Sequence, residues 1–245
     1  MMRPALFAPL FVVCLMVSPA FAAGGLEGFF NIILPPSINQ PAQEKSDIVA
    51  GLKEALALGT KNAVKELSAT DGYFGNKAVK ILLPENIRKV EKALRFAGYD
   101  KEVDAFILSM NRAAENAAPQ AADIFAGAIR SMTFDDAKKI LNGGNTAATD
   151  FFKSKTSTQL FDALKPEVSR SMNEVGVTKA YKALVERYTS IMPFVKMESL
   201  DLDRYVTGKS LDGLFYMLGE EETKIRTNPA ARTTELLQKV FGYKP

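Results

Sequence analysis

A single five-residue run, Val79-Lys80-Ile81-Leu82-Leu83, has the composition of a β-strand, and Pro84 ends it. One short strand cannot build a sheet, because its backbone donors and acceptors need a partner along at least one edge. Elsewhere apolar residues recur at three- and four-residue steps, the period of a helix with one buried face. The chain is therefore expected to be all-α. The pattern predicts a multi-helix bundle of about ten helices with short loops, and at most one minor short-strand pairing near residues 79–83. The N-terminal arm, or the stretch near Phe194 to Met197, would be the partner of that strand.

Ser46 is placed to cap a long first helix carrying Ile48, Val49, Leu52, Leu56, Ala63, Val64 and Leu67 on one face. Asp71-Gly72-Tyr73-Phe74-Gly75-Asn76 reads as a turn. Pro84 suits the first position of a helix that runs to about Phe96 and stops at Gly98. Asp100 opens the next, with a stripe of Val103, Phe106, Ile107, Met110, Ala114 and Ala117. Thr133 followed by Asp136 resembles a capping box, with Asp in place of Glu. Asn145 is expected to cap a helix around Ala147 to Phe152; Leu160, Phe161 and Leu164 precede Pro166, and Val168 and Met172 carry on to Gly176. Thr178 starts a helix that Pro193 interrupts. Asp201 or Asp203 opens a helical region to about Thr227, and Asn228-Pro229 caps the last helix.

The N-terminus has its own logic. Arg3, the apolar run Ala5 to Val17 and the small-x-small triplet Ala20-Phe21-Ala22 form a cleavable secretory signal, residues 1–22. Val13 precedes Cys14 and the apolar run continues past it, so lipidation is not expected. No later run reaches the ~18 apolar residues that span a bilayer. Residues 23–45 read as an arm with Gly24, Gly25, Pro35, Pro36 and Pro41. Its patch Phe29-Phe30-Asn31-Ile32-Ile33-Leu34 is either packed on the body or a sticky tether. Residues 46–245 are one all-helical domain, expected in the periplasm.

Residue types that are missing narrow the chemistry. The chain has 0 His, and its 1 Cys lies inside the signal segment. That removes Ser-His-Asp and Cys-His catalysis, His-ligated metals, disulfides and Cys-ligated zinc. Catalysis would have to use carboxylates, Lys, Tyr, Ser/Thr or a metal held by oxygen ligands; no cofactor and no metal site is expected. The formal charge is +3, and loss of Arg3 with the signal makes it +2. Basic and acidic residues alternate at helical spacing, as in Arg88-Lys89-Val90-Glu91-Lys92, so no nucleic-acid partner is expected.

Two polar constellations could carry a site. At ~100° per residue, Asn111 and Glu115 lie at one edge of the apolar stripe and Arg112 lies opposite it. They form either a polar cluster facing a cleft or an exposed Arg with an edge Glu in an interhelical salt bridge. Further on, Glu222 falls on the stripe of Leu211, Phe215, Leu218 and Ile225. Glu221 lies at its edge and Glu220 points away. A carboxylate on such a stripe must be paired or protonated. Arg226 follows at i+4, and Arg232 just past the Asn228-Pro229 turn. This is either a buried ion-pair lock between the last two helices or a carboxylate pair in a pocket. Asp201-Leu202-Asp203 lacks the Gly and distal Glu of a calcium loop and reads as helix capping. Gly143-Gly144-Asn145-Thr146 is either an anion site at a helix N-terminus or a flexible joint.

Several of these pieces occur together in a known family. Gly51-Leu52-Lys53-Glu54-Ala55-Leu56, Asp71-Gly72-Tyr73, Met110-Asn111-Arg112-Ala113-Ala114-Glu115 and Asp212-Gly213-Leu214-Phe215 are four. Glu221-Glu222, Ile225-Arg226 and Asn228-Pro229-Ala230-Ala231-Arg232-Thr233 are the rest. As a set, from about Ile48 to Gly242, they resemble a bacterial secreted domain of unknown function, number 4197 in that series. The resemblance implies a helical envelope protein of Gram-negative type bacteria and transfers no catalytic residue.

These readings favour a non-catalytic binding or interaction module of the cell envelope. Its partner would be an envelope protein or a small ligand. Two alternatives stand beside it: a carboxylate-dependent hydrolase of cell-wall glycan, which needs neither His nor Cys, and a carrier of a small apolar ligand between helices.

Overall fold

Leu52, Leu56, Ala63, Val64 and Leu67 fall on one face of a 3.6-residue helix, and all five are buried. They belong to α1, Gln40–Ser68, which starts upstream of Ser46 and takes in the end of the expected arm. The computed structural model describes residues 40–191 and 201–242. The expected signal segment, the Phe29 to Leu34 patch and the stretch near Phe194 to Met197 lie outside the described residues.

Regular structure in the described residues is entirely helical. After α1 come α2 (Arg88–Phe96), α3 (Asp100–Ala117), α4 (Ala121–Ser131), α5 (Phe134–Leu141) and α6 (Ala147–Glu174). Then follow α7 (Val177–Ile191), α8 (Leu202–Thr227) and α9 (Glu235–Gly242). From Pro41 onward the chain forms one compact unit.

Among the described residues the helices are fewer than the ten or so read from the sequence, and no break comes at Pro166. It sits inside α6, a helix of 28 residues. Proline removes one backbone donor and leaves a carbonyl one turn earlier unpaired. Here Pro166 and Asp162 are both on the exposed face, so water can satisfy that carbonyl. Pro84 also differs from expectation. It precedes a short 3-10 turn, Glu85–Ile87, before α2 begins. Gly98 does stop α2, with a φ of +86°. The Thr133–Asp136 capping box is present: Asp136 N–H donates to Thr133 Oγ1 and Thr133 N–H to Asp136 Oδ2, each at 3.1 Å. Asp201 caps α8 by accepting from Arg204 N–H at 2.9 Å. Asn228 caps only a 3-10 turn, Pro229–Ala231; the last helix starts later, where Thr234 Oγ1 accepts from Leu237 N–H at 3.2 Å.

α6 lies at the centre, packed on α8, α3 and α4. Phe125 of α4 meets Phe152 of α6 edge-on at 5.4 Å and Phe215 of α8 at 6.2 Å. Phe125 and Phe152 are fully buried, worth roughly 1.5–3 kcal/mol each. Ala113, Ala114, Ala117, Ala118 and Ala121 have no exposed surface, and their small side chains let backbones approach closely.

The strand-like run forms no strand. Val79, Ile81 and Leu83 are buried while Leu82 is half exposed, which is the alternation of an extended chain. Its partner is a side chain. Asn111 Oδ1 accepts from Ile81 N–H at 2.8 Å, and Asn111 Nδ2 donates to Ile81 C=O at 2.8 Å. The primary amide carries the same donor and acceptor as a peptide group, so one residue of α3 replaces a neighbouring strand. Among the described residues the run therefore pairs with no strand, and the two stretches expected as its partner lie outside them.

Candidate functional site

The α3 cluster holds the turn that follows α1. Asp71 takes a left-handed backbone, φ 66°, and Gly72 sits where a Cβ would lie 2.3 Å from the Glu66 carbonyl oxygen. That geometry points two successive N–H groups, of Tyr73 and Phe74, at Glu115 Oε1, each at 3.1 Å. Arg112 Nη1 donates to Glu115 Oε2 at 2.6 Å, and its Nη2 to Asp71 Oδ1 at 2.7 Å. The Glu115 hydrogen bond, then Asp71, hold the Arg112 guanidinium above its ordinary pKa. Asn111 and Glu115 are deeper than a stripe-edge position implies, at 0% and 3% exposure. Arg112 is only partly exposed, because it bends back to cover the turn.

Tyr73 is the plug of this joint. It is fully buried, and its hydroxyl donates to Ser210 C=O on α8 at 2.7 Å. Burial, with the Glu115 charge beside it, pushes the phenol pKa far up. Gly213 makes the contact possible, since a Cβ there would lie 2.5 Å from Tyr73 Cε1.

The α8 cluster is a second, separate joint. Glu222 accepts four donors. Ala148 N–H and Arg226 Nε reach Oε1 at 2.9 Å; Thr149 N–H and Thr149 Oγ1 reach Oε2 at 2.8 and 2.9 Å. A carboxylate offers about four lone-pair sites, so Glu222 has none left. Two of the donors are free N–H groups at the start of α6, where a negative charge also suits the helix dipole. Asn145 is therefore not the cap of α6, and Thr146 at the cap position makes no side-chain bond either. The anion at the Gly143-Gly144-Asn145-Thr146 helix start is Glu222 itself.

Arg226 Nη2 also donates to Ile140 C=O of α5 at 2.8 Å. Arg232 forms no ion pair among the described residues. Its Nε and Nη2 donate to Ile225 and Arg226 carbonyls at 3.0 and 2.8 Å, satisfying the C-terminal end of α8. The ion pair is thus within α8, and the tie runs from α8 to α5 and α6 instead of between the last two helices. Glu221, also buried, accepts from Asn62 Nδ2 on α1 at 2.9 Å and from Lys224 at 2.6 Å. The Glu221 bond raises the Lys224 pKa.

The seven candidate residues do not converge. Gly213 and Glu222 are nine residues apart on α8, about 13 Å along its axis. No hydrogen bond joins the two clusters. The apolar space beside Glu222, lined by Leu52, Leu56, Leu218, Ile225 and Phe241, admits about 10 Å³, room for no more than one water. Among the described residues no group of His, Cys, Asp or Glu could hold a metal ion, and no buried side-chain polar atom lacks a partner.

A larger opening, about 400 Å³, lies elsewhere. It runs between the extended segment and α8, with Leu82, Arg88, Tyr205, Lys209, Asp212 and Tyr216 around it. Leu82 and Tyr216 are 50% and 46% exposed. Tyr205 donates its hydroxyl to Leu82 C=O at 2.7 Å. Arg88 pairs with Glu85 and Lys209 with Asp212, at 2.7 and 2.9 Å.

The sequence profile of the family described as Protein of unknown function (DUF4197) matches residues 42–242. The chain belongs to that family. A search of the curated proteins and of the solved structures finds no match.

In this DUF4197 chain the motif pieces map onto the joints. Asp71-Gly72-Tyr73, Asn111 to Glu115 and Gly213 lie at or beside the Tyr73 plug; Glu222, with Arg226, caps the start of α6, Glu221 bonds α1, and Arg232 closes the C-terminal end of α8. Sequence reasoning missed the DUF4197 cleft residues Leu82, Tyr205 and Tyr216. The available signal was on α8: Tyr205, Lys209, Asp212 and Tyr216 recur at three- and four-residue steps, off the apolar stripe.

Proposed function

We propose that this chain is exported and acts in the periplasm as a non-catalytic interaction module of the cell envelope. The observation that carries this reading is the full occupation of Glu222 by four internal donors. Glycoside chemistry needs one carboxyl with a proton to give and a second facing the sugar. Glu222 and Glu115 spend their oxygens on backbone N–H groups and arginines, and Glu221 spends its on Asn62 and Lys224. A carrier of an apolar ligand needs an apolar cavity of hundreds of Å³; the apolar space beside Glu222 admits about 10 Å³, and the 400 Å³ opening is ringed by Arg88, Lys209 and Asp212. What remains is surface recognition.

Native mass spectrometry of the protein purified from its own periplasm tests the proposal. A bound protein or peptide supports it. A retained small apolar molecule, or hydrolysis of cell-wall glycan by the pure protein, overturns it.

A further inference from the structure

The extended segment has two edges with different fates. On one, Asn111 takes both backbone groups of Ile81. In an extended chain the groups of the flanking residues point to the opposite edge. There Lys80 N–H bonds Asn76 C=O at 2.9 Å and Leu82 C=O accepts from Tyr205. Among the described residues nothing takes Lys80 C=O or Leu82 N–H. One acceptor and one donor flanking Ile81 are what a single residue of a parallel strand bonds, giving its N–H to the first and its C=O to the second.

This edge opens onto the 400 Å³ cleft, a volume within the range of ligand sites. Its apolar floor is Leu82 and Tyr216. Lys80, Arg88 and Lys209 outnumber Glu85 and Asp212 around it. The surplus is cationic, and Lys80 Nζ is held 3.8 Å over the Phe74 ring.

We infer that this cleft binds an extended peptide segment of a partner protein, laid parallel to Lys80–Leu82 and carrying acidic side chains. Backbone pairing supplies the common grip, Leu82 and Tyr216 take an apolar side chain, and Lys80, the rim cation with no carboxylate partner among the described residues, selects for negative charge. The inference rests on the interaction-module reading and adds the site and the partner's chemistry.

The probe is a terminally blocked hexapeptide of alternating valine and glutamate, titrated into the isotope-labelled full-length protein. The expected result is a saturable downfield shift and slowed exchange of the Leu82 amide. Leu82→Pro removes that donor without breaking an internal hydrogen bond and should weaken binding by about tenfold or more. Leu82→Ala keeps the donor and should weaken it by about fivefold at most. Arg88→Glu combined with Lys209→Glu should weaken it by about tenfold. Should Leu82→Pro fail to fold, the wild-type Leu82 shift and a hexapeptide N-methylated at alternate positions decide instead.

Unshifted Leu82, or equal binding by a folded Leu82→Pro, overturns the inference. Self-association of the chain that the hexapeptide displaces would make a second copy the occupant and also overturns it. Peptides selected from a displayed library that bind with shifts only elsewhere overturn the site while leaving the interaction-module reading standing. Hydrolysis of the probe overturns that reading itself.

Discussion

Asn111 on α3 grips Ile81 by both its N–H and its C=O, each at 2.8 Å, and donates as well to Ile107 C=O at 2.8 Å. One buried amide therefore stands in for a β-strand. Asn111→Leu keeps the volume but strands two backbone groups of Ile81, each costing about 1–3 kcal/mol. The expected loss is on the order of 2–5 kcal/mol in urea melts, with faster exchange of the Ile81 amide. Asn111→Asp should be no milder, because it retains the acceptor but sets a carboxylate against two carbonyl oxygens. A loss under about 0.5 kcal/mol for Asn111→Leu would remove the clamp from the account.

Tyr73 and Gly213 are coupled by contact. Gly213→Ala places a methyl where Tyr73 Cε1 now sits, 2.5 Å from the ideal Cβ, and should cost about 1–3 kcal/mol. Tyr73→Phe loses the bond to Ser210 C=O and should cost about 1 kcal/mol. Tyr73→Leu vacates the ring position, so with it Gly213→Ala should cost clearly less than alone. A double-mutant cycle reads this directly; additive penalties would contradict the contact.

The Thr133–Asp136 box gives a pH prediction. Hydrogen bonds from the Thr133 hydroxyl and backbone depress the Asp136 pKa below 3.8. A depressed carboxyl adds stability that is present above its unfolded pKa and is lost as pH falls through the folded one. Thr133→Ala should cost about 1 kcal/mol at neutral pH. The penalty of Asp136→Ala should shrink as thermal melts are moved from pH near 5 to pH near 2. A penalty that stays constant across that range would mean that the carboxylate does not cap α5.

Helical spacing makes the local half of this architecture legible. Leu218 and Ile225 place Glu222 on the buried face of α8, and the structure buries it. Thr133 and Asp136 announce their box because both partners lie within one turn. The other half is non-local. The donors that surround Glu222 come from Ala148 and Thr149, more than seventy residues away, so spacing on α8 pointed only to Arg226 and Arg232. Asn145 misled for the same reason: a helix start reads as needing a local cap, but α6 receives its cap from α8. The strand-like run is extended, as its composition suggests, but nothing in local sequence says that Asn111 folds over Ile81. Whether Pro166 breaks its helix depends on whether the freed carbonyl meets water, which only the packing of α6 decides.

The central claim is that Glu222 is a structural joint that caps α6 and engages Arg226. Paired denaturant melts of Glu222→Ala and Glu220→Ala test it most directly, alongside binding and glycan-hydrolysis assays on both proteins. Glu222→Ala leaves a partly buried guanidinium and two α6 N–H groups without their anion and should cost on the order of 3 kcal/mol. Glu220→Ala, on the exposed face, should cost about 0.5 kcal/mol or less. A Glu222→Ala protein that keeps full stability yet loses a measurable binding or hydrolytic activity would contradict the account.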